Sequence, residues 1–350
     1  MDYSSLFATT MFTGVRFTRF FYQSVTWIAP YDGYAVFTNF GGSASGGVAI
    51  GSSASADTGP CATGGGAGSM CRKVVKVKAG DAYVITIGAG GLGQQISAAP
   101  YFKFGADGGD TTTVGPGVNM VAGGGKAGKA GLGGLALDGG LGGIATGGDE
   151  NYDGGRGGNI VAASLMQYCR ATGGGALPLL GKGFHGGDVT SAAVAYATGG
   201  AGVGGDGSTL HGGGSGTSAD ATNPGYPPLG PLTENTLSPL MPWLRTAGPG
   251  GLGDASTAPT TPASAGTGGG GGGKWYQNTS SFQLPGAPGL FGGGGGYLGG
   301  PSTSGMPAQG YRCSAEARNV YGGSGAAVHP RNVAVASANG GNGFALVEML

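Results

Sequence analysis

"VTWIAPYDGYAVFTNFGGSASGG", Val25 to Gly47, decides how the rest of the chain is read. Val25 to Ile28 alternates like a strand, "PYDG" supplies turn chemistry, and Tyr34 to Phe40 alternates again. The apolar signal then hands over to glycine and small residues. Glycine normally marks the end of regular structure, so the handover poses a question that the composition sharpens. The chain has 86 glycines in 350 residues, against a typical share of roughly 7%.

Disorder needs low hydrophobicity together with high net charge. Here 39% of residues are hydrophobic, 10% are charged, and 17 basic residues balance 17 acidic ones. That composition argues against a disordered chain. The scattered charges also lack the basic footprint of a nucleic-acid binder, so neither DNA nor RNA is expected as a partner. No apolar run reaches the length of a membrane span, and the start, "MDYSSLFATTMFTGVRFTRFFYQ", lacks the basic region and unbroken apolar stretch of a secretory signal. Synthesis and assembly in a cytoplasm are the expectation. Cys61, Cys71, Cys169 and Cys313 form no CxxC pair, which points to buried thiols rather than a zinc or redox site; a Cys61–Cys71 disulfide stays open.

Working outward, "KVVKVKAGDAYVITIG", Lys73 to Gly88, reads as a hairpin about Ala79-Gly80-Asp81, with one apolar and one polar face. The ending, "NVAVASANGGNGFALVEML", holds two more strand signals, Val333 to Ser337 and Phe344 to Met349. Their apolar content needs a core, and the N-terminal sheet is the simplest one to join. The expected fold is therefore mainly β: an antiparallel, β-sandwich-like domain closed by both termini, with almost no α-helix.

In "GGGKAGKAGLGGLALDGGLGG", Gly123 to Gly143, the glycines Gly125, Gly128, Gly131 and Gly134 fall three apart. Three residues per turn is the period of the extended polyproline-II-type helix. Collagen would require a strict period with dense proline, and the 19 prolines lie mostly between these runs. The alternative is a bundle of short polyglycine II helices, packed closely because glycine has no Cβ, and pairing N–H and Cα–H groups sideways with neighbouring carbonyls. Glycine would fill the interior, with Leu, Ile, Tyr and Asn at the outer helices or against the β core. The expected organisation is a docking segment at 1–24, a β-rich domain at 25–120 and 325–350, and a glycine-rich region with ordered loops at 121–324.

Two stretches break the glycine pattern, Asp220 to Arg245 and Lys274 to Phe291. Proline bars them from regular strands, and loops held on a rigid scaffold are the usual place for recognition. Tyr226, Trp243, Trp275, Tyr276, Phe282 and Tyr297 are the candidate receptor contacts, because aromatic faces suit sugars and protein partners alike. Phe7, Phe12, Phe17, Phe20 and Phe21 are the candidates for docking to a larger particle.

Catalytic and nucleotide motifs fail on their details. "GGGGGGKW", Gly268 to Trp275, has the spacing of half a phosphate loop, but Trp275 stands where a magnesium-binding Ser or Thr belongs. GxGxxG patterns carry no information at this glycine content. His185, His211 and His329 sit near no recognisable nucleophile, and Asp149, Glu150 and Asp153 would serve glycoside hydrolysis only by converging in a cleft. No enzyme, cofactor or metal is expected.

The phrase "VKAGDAYVITIGAGGLG", followed by "GADGGDTTTVGPGVNMVAGGGKAG" and the ending "GGNGFALVEML", resembles the glycine-rich domains of bacteriophage tail fibres and tail adhesins. The resemblance covers residues 25 to about 130 and the last 25. It implies a virion protein at the distal end of a tail, bundled polyglycine II helices, and recognition loops without catalytic residues. Expected partners are other virion tail proteins and a host-surface receptor, glycan or outer-membrane protein, with no membrane insertion; by analogy the assembly would be a homotrimer. A purely structural virion protein, such as a capsid, head or tail decoration, is the alternative.

Overall fold

The computed structural model describes residues 17–51, 59–97, 101–133, 135–161, 170–178, 181–190, 196–197, 200, 206–207, 274–275, 291–298, 311–312, 321–329 and 335–350. These residues form strands and extended runs, with no helix among them.

Two five-stranded sheets face each other at one end. One runs Phe17–Phe21, Phe344–Met349, Gly33–Phe40, Met70–Val77, Glu150–Tyr152, every pairing antiparallel. The other runs Ala145–Thr146, Val118–Ala122, Thr111–Gly115, Ala82–Thr86, Val25–Ile28, again antiparallel. The chain's last strand therefore lies between Phe17–Phe21 and Gly33–Phe40, so both ends of the described chain close the same sheet. The core between the sheets centres on Trp27, Phe37 and Tyr83, with the Phe37 and Tyr83 ring centroids 4.7 Å apart, and it includes Phe21, Val77, Ile85, Met120 and Val347.

The expected hairpin at Ala79-Gly80-Asp81 is instead a corner. Met70–Val77 belongs to the first sheet and Ala82–Thr86 to the second, so the turn carries the chain from one layer to the other. Gly80, at φ 89, takes the left-handed conformation that the corner requires. Both strands still bury their apolar side chains in one core, but from opposite sides of it, and alternation alone does not distinguish the two arrangements.

Glycine runs carry the fold beyond the sheets. Gly33–Phe40 continues directly into 41–47, which leads away from the sandwich, and 63–69 returns into Met70–Val77. The same alternation recurs at 88–93, 104–110, 123–129, 138–144, 153–159 and 337–343. Glycine runs thus start at Gly41 and end at Gly343, and the chain shuttles repeatedly between sandwich and bundle.

The 41–47 run shows how a backbone with no internal hydrogen bonds is satisfied. The N–H groups of Gly41, Ala44 and Gly47 donate to the carbonyls of Ser69, Gly66 and Thr63, one partner for every third residue. Those of Gly42 and Ser45 donate to Gly109 and Ala106, and that of Ser43 donates to Gly341. In return, the carbonyls of Gly42 and Ser45 accept from Gly125 and Gly128, that of Ser43 from Gly91, and those of Ala44 and Gly47 from Ser324 and Ala327. Six runs therefore surround this one: 63–69, 104–110, 337–343, 123–129, 88–93 and 321–326. The 63–69 run is ringed in the same way by 41–47, 123–129, 138–144, 153–159, 172–178 and 321–326, with Thr172 Oγ1 accepting from the Gly64 N–H at 2.9 Å. Two neighbouring axes with six partners each make a hexagonal bundle of polyglycine II helices.

Close approach is why glycine is required. A Cβ built on Gly66 would lie 1.9 Å from the Leu141 carbonyl oxygen, and one on Gly157 would lie 1.9 Å from that of Gly64. A Cα–H bond takes that direction instead, aimed at the oxygen. Among the described residues, only Gly80, Gly117, Gly133 and Gly147 have positive φ, all outside the packed runs. The bundle uses glycine for the side chain it lacks.

Each end of the bundle is closed differently. Next to the sandwich, Leu177 and Phe291 join Phe40, Met70 and Phe344 in a second apolar cluster, with Tyr321 against it. Phe40 stacks on Phe344 at 4.3 Å and Phe291 on Tyr321 at 5.4 Å. Runs 172–178, 291–296 and 321–326, which do not enter the sandwich, end on this plate. At the far end the runs pass into short strands, including Val48–Ile50, Cys61–Ala62, Ala130–Gly131, Arg170–Ala171 and Ala327–His329. Val335–Ala336, expected to join the N-terminal sheet, lies in this far layer, paired with Gln95–Ile96. The 337–343 run separates it from the strand that does join the sandwich.

Candidate functional site

Exposure along the outer runs repeats every three residues. Phe104, Asp107 and Asp110 are exposed, as are Lys126 and Lys129, Asp138, Leu141 and Ile144, and Asn339 and Asn342, while most residues between them are wholly or partly buried. At three residues per turn, one position in three points outward. The non-glycine residues of an outer run are therefore its surface, and the central runs 41–47 and 63–69 carry only Gly, Ala, Ser and Thr.

Many outward side chains have a second task. Outer runs lack neighbours on one side, so some of their N–H groups have no backbone carbonyl to meet, and side-chain acceptors take that place. Asn342 Oδ1 accepts from the Gly90 N–H at 2.8 Å, Asn339 Oδ1 from Gly93 at 2.7 Å, and Asn159 Oδ1 from Gly139 at 2.8 Å. Asp107 Oδ1 accepts from Ala127 at 2.7 Å, Asp110 Oδ1 from Gly124 at 2.8 Å, and Asp153 Oδ1 from Ala145 at 3.1 Å. Asp149 accepts from the Val74 N–H at 2.9 Å and faces Lys73 Nζ at 3.4 Å. Of the carboxylates that a glycosidase would need to converge, Asp149 and Asp153 thus each hold a backbone amide. Among the described residues, no group of three or more His, Cys, Asp or Glu side chains is placed to hold a metal ion. No helix there is long and apolar enough to cross a membrane.

The most connected polar cluster joins 153–159 to 182–188. Arg156 grips Asp188 with both guanidinium nitrogens, at 2.8 and 2.9 Å, and Asp188 Oδ1 also accepts from the Asn159 N–H at 2.6 Å. Burial works against the Asp188 charge, yet these partners hold its carboxyl below the ordinary carboxylate range. Cys61 and Cys71 are free, buried thiols, pushed up to about 11 and about 12 by burial. They sit on the strands at opposite ends of the 63–69 run, and no disulfide joins them. Glu348, beside Arg72 at 3.9 Å, is also pushed up by burial, to about 7.

Of the candidate receptor contacts, Tyr226, Trp243, Tyr276 and Phe282 lie outside the described residues. Trp275 and Tyr297 lie on backbones that the fold brings together: Lys274–Trp275 pairs in parallel with Tyr297–Leu298, which pairs with Ala327–His329 in the far layer. Of the docking candidates, Phe7 and Phe12 lie outside the described residues. Phe17 packs edge-on to Tyr31, Phe21 is buried in the sandwich core, and Phe20 packs against the junction plate. The structure also exposes apolar rows that composition did not single out. Leu141 and Ile144, 64% and 68% exposed, line one outer run, and Tyr101, Phe102 and Phe104 stand out at another edge. The three-residue spacing of Leu141 and Ile144 is the signal that locates such rows.

A comparison with curated proteins finds no match. A family of glycine-rich domains, in contrast, matches from Phe21 to Phe291, which takes in the sandwich strands other than the first and the last, the two central glycine runs and most of the outer ones. With most of its length matched and glycine forming the interior that the fold requires, the chain belongs to this glycine-rich domain family.

Proposed function

We propose that the protein is a bacteriophage virion protein of the tail fibre or tail tip, which attaches to the host surface without catalysis. The observation that supports this reading most is the form of the scaffold. A sandwich anchors one end of a laterally bonded glycine bundle, and the far layer holds the two-residue strands of Trp275 and Tyr297, next to the aromatic-rich stretches in sequence. A rigid base with aromatic segments issuing from it suits recognition of a glycan or an outer-membrane protein. In this reading the protein is assembled with other tail proteins in the host cytoplasm, as a homotrimer, and the carboxylates remain structural. The resemblance of the 25–130 and C-terminal stretches to tail adhesins supports the same conclusion.

Adsorption of the purified protein to host cells tests it, with Trp243→Ala, Trp275→Ala and Tyr276→Ala each matched to wild type by thermal melt. Wild type binds, and at least one folded variant binds tenfold less or worse. If wild type ignores cells, or all three variants bind like wild type, the adhesive reading fails. The exposed rows at Leu141 and Ile144 and at Tyr101, Phe102 and Phe104 then favour the structural alternative, a decoration whose sides are covered by other subunits.

A further inference from the structure

The rim of the bundle is closed by side-chain acceptors, and those described above are oxygens of Asn or Asp. His185 fills the same role with a ring nitrogen. Its Nδ1 accepts from the Arg156 N–H at 3.1 Å, the place that Asn159 Oδ1 fills for Gly139 one run away. Around that bond, the Gly183 N–H donates to the Asp153 carbonyl and the Gly186 N–H to the Arg156 carbonyl. The His185 N–H donates to Asp206 Oδ1 at 2.6 Å, and the Gly207 N–H returns to the His185 carbonyl at 2.8 Å. One imidazole therefore sits where three segments meet: 153–159, 182–188 and 206–207.

An Asn or Asp oxygen keeps its lone pairs throughout the mildly acidic range, whereas an imidazole nitrogen loses its own on protonation. We propose that His185 is an acid-sensitive latch: protonation of Nδ1 turns the acceptor into a donor facing the Arg156 N–H, and so releases 182–188 and 206–207 locally from the bundle edge. The charged groups around the ring are Asp206, Arg156, Lys182 and Asp188. Asp188 is already held by the Arg156 guanidinium, and Asp206 Oδ1 by the His185 backbone N–H.

Burial, the largest influence, moves His185 below its ordinary 6.5; Asp206 opposes this, Arg156 and Lys182 add to it, and Asp188 opposes it. The fold therefore favours the neutral ring. The latch holds above the unfolded value near 6.5 and weakens as pH falls below it.

The test is amide exchange followed by NMR on the full chain from pH 7.5 to 4.5, corrected for intrinsic rates, with the buried amides of Ala44 and Gly66 as internal reference. The Arg156 and Gly186 amides are expected to lose at least fivefold protection, with a midpoint below 6.5, while the reference amides hold. His185→Asn keeps a side-chain acceptor, and its profile should be flat. A wild-type profile that is flat, or a fall shared with Ala44 and Gly66, overturns the latch, as does a folded His185→Asn that keeps the wild-type pH dependence. The ring nitrogens of wild type report independently of any variant: Nδ1 should be the unprotonated nitrogen at pH 7.5, and a proton found there also overturns the proposal.

Discussion

At the scale of the residue, the absence of one carbon atom decides where the chain can pack. Gly66 sits at the centre of the bundle with the Leu141 carbonyl oxygen 1.9 Å from where a Cβ would be, whereas nothing lies within 4 Å of that position at Gly181. Gly66→Ala must push a backbone carbonyl aside and break lateral hydrogen bonds, at a loss of about 3 kcal/mol or more. Gly181→Ala should stay within about 0.5 kcal/mol of wild type, or stabilise slightly by restricting the unfolded chain. Urea unfolding of the two variants checks the contrast, and equal stabilities would mean that the approach at Gly66 is not a packing constraint. The surface was partly legible at this scale. The three-residue spacing at Gly125, Gly128 and Gly131 predicts that one side chain in three shares a direction, and Lys126 and Lys129 point outward accordingly. That outward Asn and Asp residues would hold the amides of neighbouring runs was not legible, because which runs are neighbours depends on the tertiary fold.

At the scale of the element, a polyglycine II helix has no internal hydrogen bonds, so its ends need tertiary partners as much as its sides do. Runs that continue from a strand inherit such a partner. The 172–178 run does so only at its far end, from Arg170–Ala171, and at the sandwich end it finishes with Leu177 buried among Phe40, Met70, Phe291 and Phe344. Leu177→Ala should destabilise the protein by about 2–4 kcal/mol, as buried leucine truncations do. Thermal or urea unfolding reads the change, and a shift under about 1 kcal/mol would show that the plate does not anchor the run. The misread turn at Gly80 belongs to this scale. Lys73 to Val77 and Tyr83 to Ile87 have alternation that suits either a hairpin or two facing layers. What separates these is pairing with the distant Gly33–Phe40 and Thr111–Gly115, and local sequence does not encode that pairing. Val335–Ala336 was misassigned for the same reason: its apolar pattern indicates a strand but not which layer receives it.

At the scale of the whole molecule, sandwich and bundle share so many crossings of the chain that they should unfold as one unit. The class of fold was legible because 39% hydrophobic residues exclude a disordered glycine chain and the three-residue period names the helix type. The hexagonal arrangement was not, since it arises from pairings such as Ser43 with Gly341 and Gly46 with Ser324, hundreds of residues apart in sequence. Of the candidate site, only the proximity of the Trp275 and Tyr297 backbones is now placed. The most direct test of the central claim, that glycine runs form a cooperative interior through lateral backbone bonds, is native-state amide exchange at Ala44, Gly66 and Gly125, compared with Phe37 and Val347 in the sandwich. If the claim holds, all five amides exchange with the same free energy, that of global unfolding. If the three bundle amides exchange freely while the sandwich pair stays protected, the glycine runs are loops on a β domain and the claim is contradicted.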